Sequence, residues 1–221
     1  ASGHLGNNQT NGWNVSPLFN DATWTNGATG IGYATSGWLN PWIGTSPSGN
    51  CQSKLFNINT SLCFRRLFNV PSPTNVFSCK LRMKYEDGFV AFINGVEVGR
   101  ANCTNVLAYN TAANTALSET VVNSWTEFSF TNRLLNAGTN LLAIQGLNVS
   151  LTSSDFLLLP EVTGFGPLAM SQTQVYFSVP TPGALNGTGT SGPLLSDEKP
   201  ADPDVPRPLG TTESPPLTVS V

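Results

Sequence analysis

One histidine, His4, is all the imidazole in this 221-residue chain. Ser-His-Asp and Cys-His catalysis therefore lack a general base in the body of the sequence. Charge is scarce as well: Lys, Arg, Asp and Glu together make up 10% of residues, well under the usual quarter. With a formal net charge of -3 there is no basic footprint, and nucleic acid is excluded as an expected partner. No apolar run approaches the roughly 18 residues that a membrane span needs. The chain opens ASGHLG, without an initiator Met or an apolar leader, as expected of a mature or excised segment. Cysteine is limited to Cys51, Cys63, Cys79 and Cys103, whose spacing fits no CxxC metal or redox pattern. Two disulfides in an exported protein are expected, with three pairings open. The alternative is buried thiols, because Cys63 and Cys79 fall in apolar, strand-like runs.

What is present is a 39% hydrophobic fraction diluted by Asn, Thr, Ser and 21 Gly, a mixture suited to strands joined by many turns. Four of the five Trp, at positions 13, 24, 38 and 42, lie in a first segment of weak periodicity. From Leu55 onward strands are legible. SLCFRRLFNV (61–70) and VFSCKLRMKY (76–85) flank the turn cluster PSPTN. In the second run Phe77, Cys79, Leu81 and Met83 alternate with Ser78, Lys80, Arg82 and Lys84, the period of a half-buried strand. FVAFI (89–93) meets VEVGR (96–100) across Asn94-Gly95, the strongest short hairpin signal. Residues 101–120 read as a long excursion with room for a short helix. WTEFSFT (125–131) alternates again, and LLAIQGLN, SSDFLLLPEV and QVYFSVPTP supply further strands. Residues 187–216 are Gly/Pro/Ser-rich and read as a linker. The final LTVSV is the first strand of a following domain or a tail. Many strands, Pro/Gly turns and no convincing helix predict an all-β sandwich.

YEDGFVAFINGVEV, W-x-E-F-x-F and LLNAGTNLLAIQGLN together resemble a galactose-binding-domain-like jelly roll, as found in the non-catalytic sugar-binding domains of β-galactosidase-type glycosidases. TWTNGATGIGY, TSLCFRRLFNV, SSDFLLLPEV and TPGALNG are similar to one module of large exported bacterial surface proteins. The likeness covers roughly residues 18–186, with 1–17 as an N-terminal extension. It implies a jelly-roll β-sandwich without catalytic residues, extracellular or on the cell surface, appended to other domains. No cofactor is expected from it; jelly rolls of this kind often hold a structural calcium ion between loop carbonyls and a carboxylate, for which Asp21, Asp87 and Asp155 are the candidates, the alternative being that each caps a turn. Cys63 and Cys79 depart from the pattern, standing where an aromatic or aliphatic residue is expected.

Glu86 and Asp87 sit directly against the hairpin. Adjacent residues of an extended segment point to opposite faces, so spacing does not make them the carboxylate pair of a glycosidase. They are expected to shape the approach to the hairpin, with ligand contact second. Asp155, after two serines, is expected to satisfy turn amides. A glycan site would combine stacking rings with planar polar groups. Trp38 and Trp42, in SGWLNPWIG, are the candidate rings, and Tyr85, Glu86, Asp87, Arg65 and Arg100 the candidate polar contacts. Six Asn-x-Ser/Thr triplets occur, a number that chance partly explains in so Asn- and Thr-rich a chain. The expected function is a non-catalytic carbohydrate-binding or surface-attachment module. Its ligand is a polysaccharide or other glycan, or neighbouring protein domains. A spacer or assembly module binding protein partners is the alternative.

Overall fold

A computed structural model describes residues 12–26, 29–44 and 50–166, together with the strands Ser2–Leu5, Val175–Tyr176, Thr190–Ser191 and Leu217–Ser220. The strands in chain order are β1 (Ser2–Leu5), β2 (Thr25–Asn26), β3 (Ile31–Ala34), β4 (Ser61–Val70), β5 (Ser78–Glu86), β6 (Gly88–Ile93), β7 (Val96–Ala101), β8 (Thr126–Phe130), β9 (Gly138–Leu147), β10 (Asp155–Phe165), β11 (Val175–Tyr176), β12 (Thr190–Ser191) and β13 (Leu217–Ser220). Two single-turn helices, α1 (Gln52–Leu55) and α2 (Glu119–Val122), are the α-helical content of the described residues. None of these helices is long and apolar enough to cross a membrane.

The chain divides into two units. Residues 1–165 with 216–221 form the first; residues 166–215 form the second, in which the antiparallel pair β11–β12 is described. The first unit is an all-β sandwich of two antiparallel sheets. One has the order β2-β1-β4-β9-β6-β7, the other β13-β10-β5-β8, with β3 also paired to β10. Between the sheets lie Leu62, Phe64 and Ile144 from the first and Leu81, Met83, Phe156 and Leu158 from the second, all 2% exposed or less. The period-two expectation for β5 holds from Cys79 to Tyr85, whose odd-numbered residues enter this core. Phe77 is the exception at 70% exposure, because β5 begins one residue later and Phe77 only donates its amide to Phe165 O. In β8, Phe128 and Phe130 face the core while Glu127 and Ser129 are exposed, as the alternation predicts.

β1 pairs with β4, so part of the expected N-terminal extension joins the first sheet. β13, the stretch read as opening a further domain or as a tail, lies antiparallel to Glu161–Gly164 of β10. Apart from Thr190–Ser191, residues 187–216 lie outside the described residues.

The expected pair of disulfides is not formed. Cys51 and Cys79 are buried between the sheets, whereas Cys63 and Cys103 lie in a second apolar cluster with Trp13, Trp24, Val90 and Leu141. Burial pushes the Cys51 thiol up to about 12 and the Cys79 thiol up to about 11. Thiols so placed act as small apolar core groups.

The Asn-Gly hairpin forms as predicted, with Asn94 at φ 48° and Gly95 at φ 87°, the paired positive angles of a primed turn. Asn94 Nδ2 donates to Leu134 O and to Asn140 Oδ1, and Asn94 Oδ1 accepts from the Leu141 amide. Asn140, fully buried, accepts from the Asn136 amide and donates to the carbonyls of Asn136 and Gly138. The two asparagines thus staple the hairpin tip to the turn before β9. Replacing Asn140 with Ala strands these partners in a dry site, and unfolding in urea is expected to show a loss of about 2 kcal/mol or more. A loss under 0.5 kcal/mol would remove the staple from the account of stability.

Candidate functional site

β7 carries a bulge that decides which side chains meet. Ala91 pairs with Gly99 but Phe92 pairs with Glu97, leaving Val98 as the extra residue. An inserted residue resets the alternation of a strand. Glu97 and Arg100, three apart, consequently share the face of Phe92 and Val90, the outer face of the first sheet. There Arg100 Nε and Nη2 donate to the two oxygens of Glu97 at 2.7 and 2.8 Å. Each group is held in its charged form by the other: the hydrogen bond from Arg100 lowers the Glu97 carboxyl, and that to Glu97 raises the Arg100 guanidinium.

Two walls stand on this face. The segment after β7 returns over the sheet because Arg100 Nη1 donates to Cys103 O and Asn105 O. At its base Asn102, at φ 53°, donates to Asp87 O and Thr115 O. Farther along, Gln145 Nε2 donates to Ala108 O, while Ser61 Oγ and Asn59 Nδ2 both donate to Tyr109 O. The opposite wall is the N-terminal segment, riveted by Arg65. That side chain, 2% exposed, pairs with Asp21 at 3.1 Å and donates to the carbonyls of Trp13 and Ser16. Its guanidinium also lies 4.9 Å from the Phe19 ring centre. Trp13 is thereby set edge-on to Phe92, with ring centres 6.2 Å apart. Between the walls lies a groove of about 470 Å³ lined by Trp13, Asn14, Phe92, Glu97, Arg100 and residues 104–107.

Of the residues expected to bind ligand, Arg100 alone lines this groove, and Arg65 acts behind it. Tyr85 is buried between the sheets, its ring 4.9 Å from Phe89. Trp38 and Trp42 are half-buried on the outer face of the second sheet, at 81° to each other rather than coplanar. Trp38 Nε1 donates to Asp155 Oδ2, and Lys84 Nζ lies 4.7 Å from the Trp42 ring centre. Both rings pack against Leu39, Val122 and Leu157. Asp155 thus takes an indole N–H and the Ser153 hydroxyl instead of turn amides.

Glu86 and Asp87 do come together, contrary to the opposite-face expectation. β5 and β6 belong to different sheets, and the chain crosses between them at Asp87 rather than running on extended. Asp87, 1% exposed, accepts the amides of Leu117 and Val149. Glu86, 4% exposed, is hydrogen-bonded to Asp87, and its Oε2 has no partner. Burial first, then the bond to Asp87 and the nearby carboxylates of Asp155 and Glu119, push the Glu86 carboxyl up to about 10. Each candidate calcium ligand has partners of its own: Asp87 accepts two backbone amides and Asp155 the Trp38 indole. Asp21 is engaged by Arg65 on the other sheet, and among the described residues no group of three or more His, Cys, Asp or Glu could hold a metal.

Trp13, Asn14, Phe92, Glu97 and Asn105 also line the groove and were not among the residues expected from the sequence. The available signal was Glu97 and Arg100 together in a charge-poor chain, hidden because a regular strand would place them on opposite faces.

No family model and no curated protein matches the chain. Solved structures with similar strands include an exo-chitosanase of Amycolatopsis orientalis, 11% identical over 79% of this chain and 21% of that one, with a TM-score of 0.43. A β-glucuronidase of Bacteroides uniformis is 13% identical over 75% of this chain and 21% of that one, at 0.40. An α-L-rhamnosidase of Aspergillus terreus is 17% identical over 48% and 12%, at 0.32. The chain therefore matches about a fifth or less of the length of these glycosidase chains.

Proposed function

We propose that this chain is a non-catalytic carbohydrate-binding module of jelly-roll type, exported as part of a larger protein. The observation that carries the proposal is the groove, whose volume suits a small polar ligand and whose lining joins aromatic edges to planar hydrogen-bonding groups. A ring with apolar C–H faces and a girdle of hydroxyls complements that mixture. The absence of catalysis is supported by the burial of Glu86 and Asp87. A carboxyl pair closed off from solvent, with one member engaged by two backbone amides, gives no substrate access to either acid.

Titration of the purified protein with a broad glycan panel, followed by tryptophan fluorescence, tests this. Saturable binding to one glycan class is expected, weakened by Trp13→Phe, which removes the indole edge while keeping an aromatic ring in this buried position, and unaltered by Trp38→Phe, which packs on the other sheet. Silence across the panel from a folded protein would leave a spacer with protein partners. Binding lost in Trp38→Phe but kept in Trp13→Phe would move the site to the second sheet.

A further inference from the structure

Resting on that function, we infer that the Glu97–Arg100 pair makes the groove selective for an uncharged glycan and excludes acidic and amino-bearing ones. The two side chains are the charged members of the groove lining, and they neutralise each other through two short bonds. A guanidinium has five N–H donors. In Arg100 one on Nε and one on Nη2 go to Glu97, and two on Nη1 go to the carbonyls of Cys103 and Asn105. One N–H is left for a ligand. The Glu97 oxygens keep lone pairs on the side away from Arg100.

A hydroxyl both donates and accepts, so it can take the remaining N–H and give its own proton to Glu97. A carboxylate can use the N–H but meets the Glu97 charge beside it. An ammonium can use Glu97 but meets the guanidinium. Displacing either partner to suit a charged ligand would break two charge-assisted bonds. The other polar lining groups, Asn14, Thr104 and Asn105, are uncharged amides and a hydroxyl. Val106, 92% exposed, forms an apolar rim against which ring faces can lie.

The test compares a neutral galactomannan, polygalacturonate and chitosan oligosaccharides as ligands of the whole protein, by calorimetry at low and moderate salt. Wild type is expected to bind the neutral polymer and to reject both charged ones by about tenfold or more. In Glu97→Gln the guanidinium loses its counter-charge, so affinity for polygalacturonate should rise about tenfold and fall again with added salt. Arg100→Gln should shift preference toward chitosan. Circular dichroism of each variant verifies the fold; Glu97 is exposed and Arg100 half-buried.

Equal or tighter binding of a charged polymer by wild type would overturn the selectivity while leaving carbohydrate binding standing. The same holds if Glu97→Gln gains nothing for the acidic polymer. No binding of any of the three by the folded protein, after silence across the broader panel, would overturn both.

Discussion

Glu86→Gln is expected to make the protein more stable at neutral and alkaline pH, an unusual outcome for a buried substitution. The folded-state value for Glu86 is about 10, against an ordinary value of 4.5. The folded chain therefore holds a proton that the unfolded chain releases above pH 4.5. Native protein binding more protons than unfolded protein means that stability falls as pH rises. The decline starts near pH 4.5, proceeds at up to about 1.4 kcal/mol per pH unit, and ends near the folded value. At pH 7 the contribution is on the order of 3 kcal/mol. Glutamine keeps the shape and can donate a hydrogen bond to Asp87, but carries no proton to lose. Urea unfolding from pH 5 to 9 should show the wild type losing stability and the variant following a flatter curve, with the gap widening toward high pH. Parallel curves would mean that Glu86 is not held protonated.

Arg65→Met is expected to cost about 2–3 kcal/mol: Asp21, at 36% exposure, stays solvated, so the loss comes mainly from the bonds of the buried guanidinium to backbone carbonyls. Methionine fills the space but leaves Asp21 and the carbonyls of Trp13 and Ser16 without their donor. Trp13 and Trp24 should then become more exposed, with a red shift in fluorescence. Glycan affinity should fall with them, because Trp13 forms one wall of the groove. A loss of stability under 1 kcal/mol, with unchanged emission, would show that the segment is held by apolar packing alone.

The fold was legible where local chemistry and tertiary placement agree. Alternation in β5 and β8 reports burial directly, and Asn94-Gly95 encodes its turn in two residues. Of the groove proposed as the site, the sequence pointed to Arg100. Trp38 and Trp42 had the composition of a sugar platform, and the structure gives the indole N–H of one to Asp155 and places an ammonium over the ring of the other. No local pattern announces such partners, which lie 117 residues apart in the case of Trp38 and Asp155. Glu86 and Asp87 were assigned to opposite faces because nothing in YEDG marks a crossing between sheets. The Glu97–Arg100 pair was hidden by a one-residue bulge, whose register depends on β6 and not on β7 alone.

The most direct test of the groove is nitrogen-15 NMR of the protein titrated with a neutral galactomannan oligosaccharide. Saturable shifts should appear at the Trp13 indole, the Arg100 Nε and the backbone amides of residues 104–107, while the Trp38 and Trp42 indoles stay still. Shifts confined to those two indoles, or none anywhere at saturating ligand, would contradict the assignment of the groove as the binding site.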